Sequence, residues 1–267
     1  IFRLAWAAKP RTALVTAPTF AEYAAALESA GCAVRRHFLQ AEVDFAVTDS
    51  ILSSITPEVD MVFLCQPNNP TGQLTPLPLV ERILRRCEAC GALLVVDECF
   101  LDFLPDCDAL TAKALLDSKN LLILKAFTKL YGMAGVRLGY CLCANTALLE
   151  AMQAAGQPWA VSSLAQAAGL AALDETAYVA QVRALIAQQR PRLTAGLRAL
   201  GLRVLDGRAN YLLFQGPETL GDALRQWGVV LRSCSNYPGL DGSWYRTAVR
   251  TGPENDELLK TLAEVLA

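Results

Sequence analysis

Short strand-like segments alternate with helical segments through the first 145 residues of this chain of 267 residues. The strand-like segments cover residues 13–17, 34–39, 61–65, 93–97, 121–127 and 138–142. Between them, residues 19–30 and 77–90 have the spacing of amphipathic helices. A chain that alternates strands with helices buries its strands in a mostly parallel sheet, which helices cover on both faces. The pattern therefore predicts an α/β fold.

The second half of the chain has a different pattern. Residues 144–172 are predicted to be helical with an interruption at 156–158, and a long amphipathic helix follows at 175–200. Pro191 lies inside that helix, so we expect a kink or a break there. Short strands at 203–205, 211–214, 229–232 and 246–250 then mix with helices at 218–227 and 255–266. This pattern predicts a large domain at 1–160, connecting helices at 161–200 and a small α+β domain at 201–267.

Three of the buried strands lead directly into a residue with a reactive or hydrogen-bonding side chain. Asn69 follows the strand at 61–65, Asp97 ends the strand at 93–97, and Lys129 follows the strand at 121–127. Ligands of open α/β sheets bind outside the carboxyl ends of the strands, so we expect these residues to converge on one crevice. An amide, a carboxylate and an amine suit O3′, N1 and C4′ of a pyridoxal ring. The ordered set predicts a site for pyridoxal phosphate (PLP).

Lys129 is the candidate for the lysine that joins PLP as a Schiff base. A lysine that attacks an aldehyde needs a lowered pKa, which burial beside other cations supplies. Thr128 and Arg137 offer a hydroxyl and a planar guanidinium, which suit the oxygens of the cofactor phosphate. Taken alone, Lys129 is equally compatible with a surface lysine at a strand end. Asp97 and Asn69 are the residues that favour the cofactor site.

The composition argues against several other classes of function. A net charge of −2 gives no electrostatic basis for binding nucleic acid or an anionic membrane. No apolar run reaches the ~20 residues that span a bilayer, and the first residues lack the pattern of a secretory signal, so we expect a cytoplasmic protein. Cys87 and Cys90 have the spacing of a zinc or redox motif, but no second pair lies nearby and His37 is the single histidine. We therefore predict reduced thiols and no metal site.

The set of Asn69, Asp97 and Lys129 resembles the fold-type-I PLP-dependent aminotransferase superfamily, and the resemblance covers essentially the whole chain. Three later segments are similar to the threonine-phosphate decarboxylases of cobalamin biosynthesis, a family close to the histidinol-phosphate aminotransferases. They are Gln157-Pro-Trp-Ala-Val-Ser-Ser163, Gly207-Arg-Ala-Asn-Tyr-Leu-Leu213 and Leu231-Arg-Ser-Cys-Ser-Asn-Tyr-Pro-Gly-Leu-Asp241. Members of the superfamily begin with an arm, a strand and a glycine-rich loop that binds the cofactor phosphate. Ile1 matches a point just after that loop, so we expect an N-terminally incomplete chain.

The resemblance implies a role for each residue of the cofactor site. Lys129 binds PLP covalently and moves protons at the substrate Cα, Asp97 pairs with the protonated ring nitrogen, and Asn69 hydrogen-bonds O3′. Phe20 matches the aromatic residue that stacks on the ring. Aminotransferases of this group usually place a tyrosine three residues after the aspartate, whereas this chain has Phe100 there, as the decarboxylases do. That departure favours the decarboxylase over the aminotransferase.

The resemblance also implies a substrate site. Arg246 matches the arginine that binds the α-carboxylate, and Arg232 is the candidate for the substrate phosphate, because a planar fork suits both groups. Asn210 and Tyr211 match the decarboxylases as well, without an assigned role. The implied reaction is decarboxylation of O-phospho-L-threonine to 1-amino-2-propanol phosphate. A homodimer that acts on a small phosphorylated amino acid is the implied assembly.

Three alternatives stay open on sequence grounds. An aminotransferase of the histidinol-phosphate type would use the same cofactor residues. A PLP-sensing domain of a transcriptional regulator would share the fold, although such proteins carry a basic winged-helix segment that this sequence does not show. A truncated and inactive remnant would also retain the motifs.

Overall fold

A six-stranded sheet forms the centre of the molecule in the computed structural model, which describes residues 1–267. Its strands are β1 (Thr12–Ala17), β2 (Ala33–Phe38), β3 (Met61–Cys65), β4 (Leu93–Asp97), β5 (Leu121–Ala126) and β6 (Gly139–Cys143). They lie in the order β2-β1-β3-β4-β5-β6, and all neighbours are parallel except β6, which runs antiparallel to β5. The predicted α/β fold with a mostly parallel sheet is confirmed.

Helices cover both faces of this sheet. They are α1 (Phe2–Ala8), α2 (Glu22–Ser29), α3 (Ile51–Ser54), α4 (Leu77–Cys90), α5 (Cys107–Leu110) and α6 (Thr146–Ala154). Side chains alternate between the two faces of a strand. In β3, Phe63 packs into one core with Tyr23 of α2, while Val62 and Leu64 pack into another with Ile83 of α4. Burial on both faces explains why β3 is a continuous apolar run in the sequence, whereas the edge strand β2, which contains Arg35 and Arg36, is largely exposed.

A second, smaller sheet lies in the C-terminal part of the chain. Its strands β7 (Arg203–Val204), β8 (Tyr211–Gln215), β9 (Arg232–Ser233) and β10 (Trp244–Ala248) are antiparallel, in the order β7-β8-β10-β9. The remaining helices are α7 (Ser163–Asp174), α8 (Thr176–Ala199), α9 (Leu220–Gln226) and α10 (Gly252–Leu266). Strand β9 is shorter than the predicted strand at 229–232. Strand β10 lies two residues before the predicted strand at 246–250, so Arg250 falls outside it.

Helix α8 continues through Pro191, so of the predicted kink or break the break does not occur. Ile186, Gln189, Leu193 and Leu197 are buried at spacings of three and four residues, so they form one stripe that packs against the rest of the molecule. Packing of this stripe outweighs the loss of one backbone hydrogen bond at the proline.

The cysteines and the helices bear on the other predicted classes of function. All nine cysteines are free thiols. Cys87 lies in the core, where burial raises the pKa of its thiol to about 12, and the Cys90 thiol contacts the carbonyl oxygen of Ile55. No group of three metal-binding side chains lies close enough to hold an ion. None of the helices has both the length and the hydropathy that crossing a bilayer requires.

Candidate active site

A cavity of about 610 Å³ lies between the large and the small sheet. Five of the residues predicted for the site line it: Phe20, Asn69, Lys129, Arg232 and Arg246. The large sheet supplies Asn69 from the turn after β3 and Lys129 from the turn after β5. The small sheet supplies the two arginines from β9 and β10. Both sheets are therefore needed to build the cavity.

Asp97, the last residue of β4, is only 5% exposed. Its carboxylate accepts hydrogen bonds from Tyr23 Oη at 2.7 Å and from the backbone N–H of Cys99 at 3.0 Å. No lysine or arginine forms an ion pair with it. Burial lowers the pKa of the Ile1 ammonium and the Asp97 charge opposes that shift, but the two groups form no ion pair. A buried carboxylate whose hydrogen-bond partners are all neutral lacks the paired counter-charge that a low-dielectric site requires. The site therefore suits a ligand that brings a cation, such as a protonated pyridine nitrogen.

Lys129 is exposed to the cavity, and its Nζ lies 5.5 Å from the ring centroid of Phe100. Lys129 and Asp97 both act electrostatically on the thiol of Cys99. Burial and the Asp97 carboxylate raise the pKa of the Cys99 thiol, while the charge of Lys129 acts in the opposite direction. Both charges therefore act near Cys99, at the ends of adjacent parallel strands.

The turn after β3 holds Asn69 in place. Gln66 fixes this turn with two hydrogen bonds to the backbone of Thr75, through Nε2 at 2.6 Å and Oε1 at 2.8 Å. The Asn69 side chain uses its oxygen twice, accepting from Arg246 and, at 3.4 Å, from Tyr237 Oη. Its amide NH₂ remains available as a donor, which O3′ of a pyridoxal ring requires.

Arg232 and Arg246 are direct partners across β9 and β10. Directly opposite side chains of an antiparallel pair lie ~5 Å apart at Cβ, where two like charges repel. Neither guanidinium pairs with a carboxylate, since Arg232 donates to Asn236 at 3.1 Å and Arg246 donates to Asn69. Two uncompensated positive charges therefore face the cavity, and they favour an anionic ligand.

Glu98 follows Asp97 directly but lies on the opposite face of the sheet. It is completely buried, and Lys125 of β5 pairs with it at 3.1 Å. The hydroxyl of Thr111 and the backbone N–H of Ala112 each donate to Glu98 at 2.7 Å. The chain itself satisfies this carboxylate, so Glu98 has a structural role outside the site.

The family model for aminotransferase class I and II matches residues 1–263. The chain belongs to this family. The threonine-phosphate decarboxylase of Salmonella typhimurium is 39% identical over an alignment that covers all of this chain and 74% of that protein. The histidinol-phosphate aminotransferase of Lactiplantibacillus plantarum is 33% identical, over 95% of this chain and 70% of that protein.

Solved structures of the aminotransferase family have the same fold. The histidinol-phosphate aminotransferase from Clostridium acetobutylicum matches with a TM-score of 0.93 at 27% identity, over 99% of this chain and 80% of that chain. The L-threonine-O-3-phosphate decarboxylase from Porphyromonas gingivalis matches with a TM-score of 0.83 at 25% identity, with the same coverage of both chains. The fold is therefore that of the fold-type-I PLP-dependent enzymes, and PLP is the cofactor.

The residues around the cavity fit PLP. Lys129 and Asn69 line the cavity and offer an amine and a donor to O3′. Asp97 is not among the lining residues; it is linked through Tyr23 to Phe20, which does line the cavity, and offers a carboxylate to a protonated ring nitrogen. Phe20 supplies an aromatic wall. These four residues can hold the ring of the cofactor.

The structure does not bring the two predicted phosphate ligands to this cavity. Thr128 is half-buried, and Arg137 is exposed with its Nη1 donating to the carbonyl oxygen of Ala134 at 2.8 Å. Neither residue lines the cavity that contains Lys129. The backbone of Arg137 is left-handed, at φ 59°, a conformation that residues other than glycine adopt mainly in turns and at functional sites. The phosphate-binding role of both residues stays a prediction.

Asn210 and Tyr211, which match the decarboxylases without a role, both line the cavity. Tyr211 Oη donates to the backbone carbonyl of Asn68 at 2.9 Å, and its ring centroid lies 5.1 Å from the guanidinium of Arg246. Tyr211 thus joins the small sheet to the turn after β3. The amide oxygen of Asn210 is buried and has no hydrogen-bond partner.

Sequence reasoning missed two tyrosines of the site. Tyr23 was detectable in principle, because it lies three residues after Phe20 and such residues share one face of a helical turn. Tyr237 reaches Asn69 from 168 positions away along the chain, so no local pattern could have signalled it.

Proposed function

We propose that this chain is a PLP-dependent decarboxylase that converts O-phospho-L-threonine to 1-amino-2-propanol phosphate, a step of cobalamin biosynthesis. The observation that carries the proposal is the pair Arg232 and Arg246, which present two uncompensated charges to the cavity that contains Lys129. A substrate with a carboxylate and a phosphate satisfies both, since a guanidinium binds either group through two parallel hydrogen bonds. The similarity to the Salmonella typhimurium decarboxylase supports this substrate class.

The two arginines bind different groups of the substrate. Arg246 contacts Asn69, the donor to the cofactor ring, so it is suited to the α-carboxylate next to the reacting bonds. Arg232 lies one strand further out, on the edge strand β9, and is suited to the phosphate. Arg250 also lines the cavity, but Glu254 neutralises it at 3.2 Å, so it is the least available of the three.

The remaining residues hold the reacting centre. PLP, when bound, accepts the electron pair of the bond that breaks at the substrate Cα. Asp97 pairs with the protonated ring nitrogen. Lys129 anchors the cofactor and returns a proton to Cα, at the position that the carboxylate leaves as carbon dioxide. Binding energy from the remote phosphate on Arg232 orients the bond between Cα and the carboxylate.

A histidinol-phosphate-type aminotransferase is the second candidate. The TM-score of 0.93 with the Clostridium acetobutylicum enzyme favours it. Histidinol phosphate carries no carboxylate, so in its complex one arginine would lack an anionic partner. The second substrate 2-oxoglutarate carries two carboxylates, however, so the arginine pair alone does not separate the candidates. Phe100, at the position where aminotransferases of this group usually have a tyrosine, favours the decarboxylase.

Product analysis separates the two candidates. We expect the chain, supplied with PLP, to release carbon dioxide from O-phospho-L-threonine in the absence of any 2-oxo acid. L-Threonine is the control substrate, and we expect its turnover to be at least about thirtyfold lower, because Arg232 then has no anionic partner. Turnover of histidinol phosphate that strictly requires 2-oxoglutarate, without release of carbon dioxide, would establish the aminotransferase instead.

We also propose that the chain acts as a homodimer. Leu164, Leu170 and Leu173 of α7 are exposed, and Trp159 just before this helix is 95% exposed. Several large exposed apolar side chains along one helix favour a protein interface. Light scattering during size-exclusion chromatography tests the proposal, and a monomeric mass at micromolar concentration would contradict it.

A further inference from the structure

Tyr23 is a buried group next to the proposed Asp97 site that the mechanism does not use. It is completely buried, and its hydroxyl donates to Asp97 Oδ2 at 2.7 Å. The other carboxylate oxygen, Oδ1, accepts from the backbone N–H of Cys99 at 3.0 Å. Each oxygen of Asp97 is thus held by one neutral donor.

The ring of Tyr23 is fixed on two sides. It stacks on Phe63 of β3, with ring centroids 4.8 Å apart and an interplanar angle of 19°. It also meets Phe20 edge-on, at 5.5 Å and 83°. Because Phe20 lines the cavity, Tyr23 connects the aromatic wall of the cavity to the carboxylate behind it. A ring packed in this way holds its hydroxyl, and therefore Asp97, in one orientation.

The hydroxyl of Tyr23 is a donor under all ordinary conditions. Burial and the neighbouring Asp97 charge raise the pKa of Tyr23 well above its usual value of 10. A neutral donor stabilises the ionised carboxylate without cancelling its charge. A lysine at the same place would cancel that charge, as Lys125 does for Glu98 on the other face of the sheet.

We propose that Tyr23 is a positioning residue that keeps the Asp97 carboxylate ionised and directed at the ring nitrogen of PLP. The inference rests on the role proposed for Asp97, and Tyr23 acts only through that residue. Without the hydroxyl, the carboxylate is more basic and less ordered, so it competes with the ring nitrogen for the shared proton. A ring that loses this positive charge binds more weakly and is a poorer acceptor of electrons.

The test compares Tyr23→Phe with Tyr245→Phe, using titrations that need no substrate. Tyr245 is a matched control because it is also buried and its hydroxyl donates to the carbonyl oxygens of Pro217 and Glu218, in the small sheet. Adding PLP and following the visible absorbance that it gains on binding its lysine gives the dissociation constant. We expect it to rise about tenfold in Tyr23→Phe and less than about twofold in Tyr245→Phe.

The pH dependence of the same absorbance separates positioning from packing. A positive ring nitrogen disfavours a second proton on the nitrogen that joins PLP to Lys129. Weakening that positive charge in Tyr23→Phe therefore moves the midpoint of the absorbance change to higher pH. In an Asp97→Asn background the same substitution should have no further effect on the midpoint, because the carboxylate through which Tyr23 acts is absent.

Several outcomes would overturn the proposal. An unchanged dissociation constant and midpoint in Tyr23→Phe would do so, as would an equal shift in the Asp97→Asn background. If Tyr23→Phe does not fold, Tyr23→His, which keeps a ring N–H donor, replaces it, and a tenfold weaker binding in that variant contradicts the account. Loss of decarboxylation with PLP binding intact refutes the proposed function alone, whereas a wild-type chain that binds no PLP refutes both.

Discussion

Two neighbouring carboxylates, Asp97 and Glu98, have opposite environments in this molecule. Both are buried at the end of β4, and the twofold period of a strand turns them to opposite faces of the sheet. Glu98 meets Lys125 as well as two neutral donors, so its charge is compensated within the chain. Asp97 meets only the hydroxyl of Tyr23 and a backbone N–H. The chain pairs Glu98 with a cation, whereas Asp97 has no ion-pair partner.

The difference shows how a structural charge can be told from a functional one. Burying a charge without a counter-ion lowers stability, and groups of this kind cluster at functional sites, where a ligand completes them. The same contrast separates two lysines four residues apart. Lys125 is buried and paired with Glu98 and Asp102, whereas Lys129 is exposed to the cavity and has no ion-pair partner. Variants on the two faces should therefore lose different properties.

Lys129→Ala should have the largest effect, and only on activity. Losing the group proposed to anchor PLP and to move the proton should lower the rate of the proposed decarboxylation by at least about a thousandfold. The free energy of unfolding should change by less than about 0.5 kcal/mol, because the side chain is exposed and unpaired. Carbon dioxide release and urea unfolding measure the two quantities. A folded Lys129→Ala variant that retains a tenth of the activity would contradict the role proposed for Lys129.

Lys125→Met should lower stability and leave PLP binding intact, the reverse of Lys129→Ala. It leaves Glu98 buried without its cation, which should lower the free energy of unfolding by about 3–5 kcal/mol. The folded fraction should still bind PLP, because Lys125 lies outside the cavity. Urea unfolding in the absence of PLP, followed by PLP titration, tests both statements. Unchanged stability together with lost PLP binding would show that the two lysines had been assigned the wrong way round.

Asp97→Asn and Glu98→Gln form a matched pair with a smaller effect. Asp97→Asn should weaken PLP binding by roughly 10- to 100-fold, because the ring nitrogen loses a charged partner, while the stability of the cofactor-free chain stays equal or rises. Glu98→Gln should cost about 2 kcal/mol of stability, since Lys125 keeps Asp102 at 2.8 Å. Both quantities should be measured on both variants. Equal losses of stability in the two variants would contradict the assignment of a structural role to Glu98 and a cofactor-binding role to Asp97.

The smallest predicted effect is a loss of stability at alkaline pH, which depends on Lys125. Burial opposes the charge of Lys125, but its hydrogen bond to Asp102 and the charge of Glu98 prevail and raise the pKa of Lys125 above its ordinary value of 10.5. The stabilisation from this pairing is therefore complete below pH 10.5 and is lost as the pH rises through the raised pKa, by at most about 1.4 kcal/mol per pH unit. The unfolding free energy of the wild type should fall more steeply over this range than that of Lys125→Met. Parallel curves for the two proteins would contradict the paired state of Lys125.

Much of the large sheet could be predicted from the sequence. The strand at 61–65, the helix at 77–90 and the strand at 93–97 have the predicted bounds, because continuous burial and clear turn residues mark both of their ends. The alternation of side chains along a strand also predicts that Asp97 and Glu98 point to opposite faces of the sheet. Asn69 and Lys129 could be placed at one edge of the sheet because parallel strands share a direction.

The remaining features depend on contacts that no local pattern encodes. Strand β9 has two residues, and its pairing with β10 is what sets Arg232 opposite Arg246. The continuity of α8 at Pro191 comes from its buried stripe, which overrides the local preference of proline. Asp97 is visible in the sequence, but its lack of an ion-pair partner emerges only when distant segments are folded together.

We propose that Lys129, and not Lys125, carries the cofactor. The most direct test adds PLP to the chain, fixes the bond between PLP and its lysine by borohydride reduction, and locates the modified residue by peptide mass spectrometry. We predict a single stoichiometric modification on Lys129, which Lys129→Ala abolishes and Lys125→Met leaves in place. Modification of Lys125, or an even spread over several lysines with none favoured, would contradict the account.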